Sequence, residues 1–325
     1  MSDSVGDWRP SCSVEMLHQR AALRLAIRTF FDERGYLEVD TPVLSEDIVI
    51  DAHLDPISAN VHGRQMYLQT SPEACMKRML AAGSGSIYQV TSSFRDGESG
   101  TLHNPEFCML EWYGVGTTWQ QQIELTEALI RTTAENLQSA LSLPPFEQLT
   151  YQNAFLAHAD IDPLTATNDE LGRCVRQRLN TDDIPTERDD LLNLLLAEDV
   201  EPHLGRDAPV FVTDYPATQA ALAELSESDP RVALRFELYI AGVEICNGYQ
   251  ELTDATELQR RDEEQSQRRA TQQSARLPGA PRLLSAMHAG LPACSGVALG
   301  LDRLLMLQTG KTSLDGVLPF PINRA

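Results

Sequence analysis

The sequence lacks what would place it in a membrane, a secretory route or on a nucleic-acid backbone. None of its 325 residues fall in a run near the ~18 apolar residues of a membrane span. The polar start from Met1 to Cys12 has no signal-peptide core. Six cysteines (Cys12, Cys75, Cys108, Cys174, Cys246, Cys294) form no C-x-x-C pair and no metal-site spacing. Reduced thiols in a cytoplasmic protein are therefore expected. There is no internal repeat, no low-complexity tract and no Gly/Pro-rich linker. Positive charge is scarce. With 26 Lys and Arg against 47 Asp and Glu, the net charge is −21, which opposes a polyanionic partner. The basic clusters Arg20/Arg24/Arg28, Arg260/Arg261 and Arg268/Arg269 read as solvated helix faces.

What is present is enough apolar residue, 42%, for a sizeable core. Helical spacing of Leu17, Leu23, Ile27 and Phe30/Phe31 predicts a helix over Ser13–Arg34, ended by Gly35. An extended Tyr36–Thr41 closed by Pro42 follows. Tyr67–Thr70 reads as a short strand. Ser71 as N-cap and Pro72 at the first helical position then start a helix through Leu80, which Gly83 stops. Further helices are expected over Trp119–Ser142, Tyr151–Ala159, Asn168–Leu179, Arg188–Val200 and Thr253–Ala275, with a strand at Val210–Thr213. The block 144–230 reads as a helical insertion within one catalytic domain spanning 1–325.

The chain centres on Ser92–Glu98 and Thr101–Tyr113. Tyr88, Val90 and Phe94 alternate with Gln89, Thr91 and Ser93, the period of a strand. Further on, Phe107, Met109, Glu111 and Tyr113 share one face, and Cys108, Leu110 and Trp112 the other. Gly97, Gly100 and Pro105 make the middle a loop. Arg95 at the rim of such a hairpin suits a nucleotide phosphate, because guanidinium offers paired donors. Phe107 can stack on a base. A carboxylate among rings, Glu111, needs a partner. The plain alternative is an ordinary hairpin with a solvated loop.

Three other places carry chemistry. Glu73 sits at a helix mouth, where it either faces a ligand or merely complements the helix dipole. Glu237 and Glu244 flank Ala241-Gly242, so a tight turn is expected to set them nearly opposite each other. Hard oxygen ligands in that position suit Mg²⁺, although two solvated edge charges would look the same. Cys294–Arg303 reads as strand, glycine, helix, with Gly300 allowing close approach to the backbone and Arg303 reaching phosphates.

Together these strings resemble the class II aminoacyl-tRNA synthetases in their lysyl form. F-R-x-x-E with H-N-P-E-F-x-M-L-E-W-Y is similar to motif 2. The helix–Gly–strand–Pro unit is similar to motif 1, which in that family forms the homodimer interface. S-P-E resembles the lysyl A-P-E, whose glutamate faces the substrate amine. E-I-C-N-G-Y-Q-E-L resembles E-I-x-N-G-F-x-E-L, whose residues matching Asn247, Tyr249 and Glu251 bind lysine. C-S-G-V-A-L-G-L-D-R resembles motif 3.

The resemblance covers roughly residues 13–310. It implies an α+β fold, a mostly antiparallel sheet flanked by helices, as a homodimer. It also implies attack of an amino-acid carboxylate on the α-phosphorus of ATP. Arg95 would hold the carboxylate and α-phosphate. His103 and Arg303 would neutralise the outer phosphates, and Glu237 and Glu244 would hold Mg²⁺. ATP would further meet Glu98, Asn104, Phe107, Ile245 and Gly300. Ser71, Pro72, Glu73, Glu111, Tyr113, Asn247, Tyr249, Glu251 and Ala298 would line the amino-acid pocket.

Two departures matter. The lysyl enzymes usually carry Glu where Gly97 stands, so either Glu98 takes over or that adenine contact is lost. The lysyl-tRNA synthetases carry an anticodon-binding OB domain before motif 1, and none is expected here. A stand-alone core of this kind resembles the elongation factor P lysyltransferases, which place a lysyl group, characteristically (R)-β-lysine, on a lysine of that factor. Elongation factor P is then the expected acceptor, and tRNA is not. The alternatives are a compact ligase for tRNA or a small amine, and a silent regulatory dimer. Intact Arg95, Glu237, Glu244 and Arg303 speak against the last.

Overall fold

A computed structural model describes residues 8–51, 54–272 and 274–325. Helix α1 (Val14–Asp32) begins where the Ser13 side chain accepts from Met16 N, and it buries Leu23, Ile27, Phe30 and Phe31. Gly35, at φ +73°, turns the chain into β1 (Leu37–Glu38). A small sheet follows, from β2 (Leu44–Ser45), β3 (Ser58–Val61) and β4 (Arg64–Leu68). The β3–β4 hairpin, turning at His62-Gly63, was not foreseen, and it moves the expected Tyr67–Thr70 strand three residues earlier.

Helix α2 (Glu73–Ala81) leads to the long hairpin of β5 (Ile87–Phe94) and β6 (Glu106–Val115). Helix α3 (Trp119–Asn136) opens on a capping box at Thr118 and Gln121. Then come β7 (Glu147–Thr150), α4 (Tyr151–His158), α5 (Asn168–Leu179), α6 (Arg188–Leu195), β8 (Val210–Pro216), β9 (Val232–Ile240) and β10 (Val243–Gln250). Helices α7 (Ala255–Thr271) and α8 (Pro281–Gly290), strand β11 (Cys294–Gly300) and helix α9 (Leu301–Gln308) complete the order.

The main sheet runs β1-β5-β6-β11-β10-β9-β8-β7. Its inner pairings are antiparallel, and only the outermost pairs, β1/β5 and β7/β8, are parallel. The expected α+β architecture is what the chain adopts. Alternation along β6 sends Leu110 and Trp112 into a core with Phe30, Phe31, Ile130 and Leu305 from α1, α3 and α9. The opposite face of the same strands, bearing Met109, Glu111 and Tyr113, is left for the site.

Three expectations need correction. Block 144–230 is less separate than a helical insertion, since besides the expected Val210–Thr213 strand, which is β8, it carries the unforeseen β7, and both extend the main sheet while α4–α6 form a second apolar cluster against β8. Arg188–Val200 is not one regular helix, since α6 stops at Leu195 and a π-helical turn occupies Leu196–Val200. The basic clusters are not simply solvated: Arg20 pairs with Asp302, Arg261 with Glu257, and Arg268 with Asp189. Arg269, 2% exposed, ties α7 to the backbone at Asp51 and Leu54. Gln273, within the expected Thr253–Ala275 span, lies outside the described residues. Among the described residues all six cysteines are unpaired, and no helix is long and apolar enough to cross a membrane.

Candidate active site

Strands β6, β11 and β10 lie side by side, and their register assembles the pocket floor. Ala298 on β11 pairs with Glu111 on one side and Asn247 on the other. Gly296 lies likewise between Tyr113 and Tyr249. A Cβ at Gly296 would sit 2.4 Å from the Tyr113 ring and 2.5 Å from Glu251 Oε1, so only glycine lets these side chains converge.

The start of α2 closes the pocket from above. Pro72 is its N-cap and Ser71 lies one residue earlier, a shift of one from the sequence reading. The shift frees Ser71 for two tasks. Its Oγ accepts from Glu73 N at 3.0 Å and donates to Glu111 Oε2 at 2.7 Å. Tyr113 donates to the other Glu111 oxygen at 2.6 Å. The partner that Glu111 required is thus a pair of hydroxyls. Burial, followed by repulsion from Glu73, pushes its carboxyl up to about 7 despite those bonds.

A cation absent from the sequence reading, Lys77, lies behind this wall. It donates to Glu73 Oε1 at 2.5 Å and stands 2.6 Å from Glu251 Oε2. The second contact is an ion pair without a well-aligned hydrogen bond, since Glu251 Oε2 has no hydrogen-bond partner. Burial works against the Lys77 charge, but Glu251 and Glu73 outweigh it and hold the amine above its ordinary range. Burial also pushes Glu251 up to about 8, with Lys77 pulling the other way. The spacing of Glu73 and Lys77, four apart on one helix, was the available signal.

A cavity of about 970 Å³ opens over this floor, lined by Glu73, Glu111, Asn247, Tyr249, Glu251 and Arg95 among others. Arg95 sits at its rim, just past the last β5/β6 pair, Phe94 and Glu106, whereas Glu111 lies five residues deeper along β6. The Arg95 guanidinium stands 5.0 Å over the Phe107 ring and 3.5 Å from Glu98. Among the described residues its Nε is buried with no hydrogen-bond partner, an arrangement suited to an arriving anion. Gly97 holds φ +77°, so its role is to turn the loop, and Glu98 is the carboxylate that returns to Arg95.

Arg303 is organised differently. It donates to the carbonyls of Leu102 and Glu244, to Glu244 Oε2 at 3.1 Å, and to His103 Nε2 at 2.8 Å. Because guanidinium only donates, His103 Nε2 is an acceptor and its ring is neutral. Burial and the Arg303 charge both hold the imidazole below its ordinary value. His103 therefore positions Arg303 and adds no charge against phosphate, which corrects the sequence expectation. Asn104 spends its amide on Glu106 O and Ile322 N, pinning the loop to the C-terminal segment. At Gly300 a Cβ would come 3.7 Å from Arg303 Cδ and 3.8 Å from the Ile245 carbonyl, so the glycine leaves open a shelf that a side chain would fill.

The expected opposition of Glu237 and Glu244 is not what the register gives. Glu244 pairs with Tyr239 and Glu237 with Asn247, because the two-residue turn and a bulge between Glu244 and Cys246 offset them. Glu237 accepts from Tyr215 and Tyr239, both at 2.6 Å, and from Arg235 at 2.5 Å. Two residues missed in the sequence enter here. Arg235 stands over the Tyr215 ring at 4.5 Å and lines the cavity. Glu201, just after the π-helical turn, stands 3.2 Å from the Tyr239 hydroxyl, whose single proton is directed to Glu237. Burial, then Glu237 and Glu244, push the Glu201 carboxyl up to about 7. No group of three or more His, Cys, Asp or Glu among the described residues could cage an ion. The carboxylate of Glu244, beside Arg303, suits an ion that arrives with substrate phosphates, as Mg²⁺ commonly does, whereas both Glu237 oxygens are already engaged by Arg235, Tyr215 and Tyr239.

With this geometry in view, relatedness is informative. Residues 2–324 match the family described as tRNA synthetases class II (D, K and N). The elongation factor P–(R)-β-lysine ligase of Salmonella gallinarum is 45% identical over 98% of both chains. That of Klebsiella pneumoniae is 46% identical over 98% of both, and that of Edwardsiella ictaluri 46% identical over 100% of both. Matched almost end to end, and carrying that family's catalytic sheet, this chain belongs to the class II tRNA synthetases of the D, K and N group.

Proposed function

We propose that this protein is an ATP-dependent, AMP-forming ligase for a lysine-type amino acid, (R)-β-lysine, with a lysine side chain of elongation factor P as acceptor. One observation carries the reading of the donor. Three carboxylates, Glu73, Glu111 and Glu251, converge at one end of a cavity whose rim carries Arg95. A substrate with amines at one end and a carboxylate at the other matches that polarity. The acceptor is the one named in relatives 45–46% identical over nearly the whole chain.

In the first half-reaction Arg95 orients the amino-acid carboxylate and the α-phosphate for in-line attack, and pyrophosphate leaves. Arg303, held by His103 and Glu244, meets the outer phosphates, and Phe107 offers its ring to the adenine. Such catalysis works by positioning and charge stabilisation. Glu244, with Glu237 behind it, would hold Mg²⁺, which when bound neutralises phosphate charge. In the second half-reaction an uncharged acceptor amine attacks the adenylate carbonyl, an amide bond forms, and AMP leaves with the electron pair of the broken C–O bond. We further propose that the chain works as a cytoplasmic homodimer and a single catalytic unit, and that its charge of −21 disfavours tRNA.

Pyrophosphate exchange with (R)-β-lysine and with α-lysine, followed by transfer of labelled amino acid, tests this. The expected result is β-lysine-dependent exchange and a base-stable label on elongation factor P. Efficient tRNA charging with little protein labelling would overturn the acceptor.

A further inference from the structure

Of the 26 basic side chains in this sequence only Lys77 and Lys311 are lysines. Everywhere else the chain uses arginine. Lys77 is also among the most buried charges, 1% exposed, and it is absent from the cavity lining although both its carboxylate partners, Glu73 and Glu251, line it. The ammonium therefore stands behind the acids, on the side away from the substrate space. A compact ammonium can contact two carboxylates at once from within a packed helix–strand junction, where a planar guanidinium would demand more room.

We propose that Lys77 is a positioning residue that fixes the charge and geometry of the amine-binding wall, so that the pocket accepts a diamino acid. This rests on the functional reading above. Around Lys77 stand Glu73 on its own helix, Glu251 after β10, Glu111 and Tyr113 on β6 and Cys294 on β11. Its Nζ lies 6.0 Å from the Tyr113 ring centroid. Three carboxylates thus face one resident cation, and the wall is short of positive charge. Substrate amines supply it. Without Lys77, Glu73 and Glu251 would repel each other when ionised, so the wall would keep its proton to higher pH and lose its hold on an ammonium over that range. Burial already pushes Glu251 upward, so the loss of Lys77 moves it further the same way.

The test compares the unaltered enzyme with Lys77→Met, with Lys77→Gln should the apolar variant not fold, and with Lys77→Arg. Pyrophosphate exchange is followed from about pH 6 to 8.5, the range in which raised carboxyls titrate. In the uncharged variants KM for β-lysine should rise at least about tenfold at pH 7, while kcat changes less than about threefold. The pH at which that KM falls should move up by about one unit or more. KM for ATP should stay unchanged, and Lys77→Arg should bring the pH midpoint back toward that of the unaltered enzyme. A purely structural lysine would lower thermal stability and leave the midpoint in place, and that result overturns the inference. Unaltered enzyme without amino-acid-dependent exchange would instead overturn the functional reading on which it rests.

Discussion

At the amine end of the site, Glu111 has a hydroxyl on each oxygen, Glu73 and Glu251 share Lys77, and Gly296 brings the side chains together. At the phosphate end, Arg95 leaves its Nε without a partner, and its nearest carboxylate is 3.5 Å away. The first end is built like a core, with its charges paired before any ligand arrives, although Glu251 Oε2 meets Lys77 without an aligned hydrogen bond. The second is held from below, through Arg303 and Glu244, and open above. The contrast fits the demands of each. Selecting one small diamine needs a rigid, desolvated wall. A polyphosphate whose charge redistributes during reaction needs donors that tighten when it does.

Breaking the open end should have the largest effect on rate and the smallest on stability. Arg95→Ala removes a half-buried guanidinium whose only ion pair among the described residues is loose. Exchange should fall by about 100- to 1000-fold, the range seen when one preorganised donor to developing charge is lost. The thermal midpoint should stay within about 2 °C, because the side chain supports little else. Parallel exchange assays and thermal scans would check this. A large drop in stability would mean that Arg95 holds the hairpin together.

The same contrast decides what was legible in the sequence. Local strings gave the hairpin, the two faces of β6 and the residues on β10 and β11, because alternation and turn chemistry survive folding unchanged. Long-range pairing did not. Glu237 and Glu244 were expected opposite each other, but register depends on the turn and on a bulge that no composition announces. Glu201 lies one residue past the expected Arg188–Val200 helix, and the leucine spacing does not announce the π-helical turn that precedes it. His103 was read as a cation because its neutral state depends on Arg303, which is 200 residues away. The roles proposed for the site side chains rest on the experiments above.

Titration sharpens the comparison from the amine end. Glu111 and Glu251, raised to about 7 and about 8 by burial, keep protons in the empty protein that the unfolded chain releases near its ordinary carboxylate range. Each therefore adds stability that is fully present below that range and lost as pH rises through about 7 and about 8. The thermal midpoint of the empty protein should fall between about pH 4.5 and 8 on this account. Over much of the same interval the pocket gains the charge that an ammonium needs. KM for β-lysine should thus decrease by about 10- to 100-fold between pH 6 and 8.5, and saturating β-lysine should restore most of the lost midpoint at the alkaline end. Glu111→Gln should flatten the lower limb of both curves. A KM that stays level across the interval would show that neither acid meets the substrate amine.

The smallest expected effect concerns Ala298. It is half-buried in the pocket floor, between Glu111 and Asn247 in the strand register, and it lines the cavity. Its methyl adds one carbon to a floor whose neighbours are held by hydrogen bonds and cannot simply yield. In α-lysine the amine next to the carboxylate would meet that carbon. In β-lysine the amine is one carbon further on, and the methyl fills the vacated space. Ala298→Gly should therefore raise kcat/KM for α-lysine relative to β-lysine by about tenfold, the low end of what one methyl is worth in a tight pocket. Both specificity constants in both proteins provide the measurement. The change falls on the ratio, because the carboxylate wall and Arg95 are untouched. An unchanged ratio would reduce Ala298 to packing and shift selectivity to Ser71, Glu73 and Tyr249.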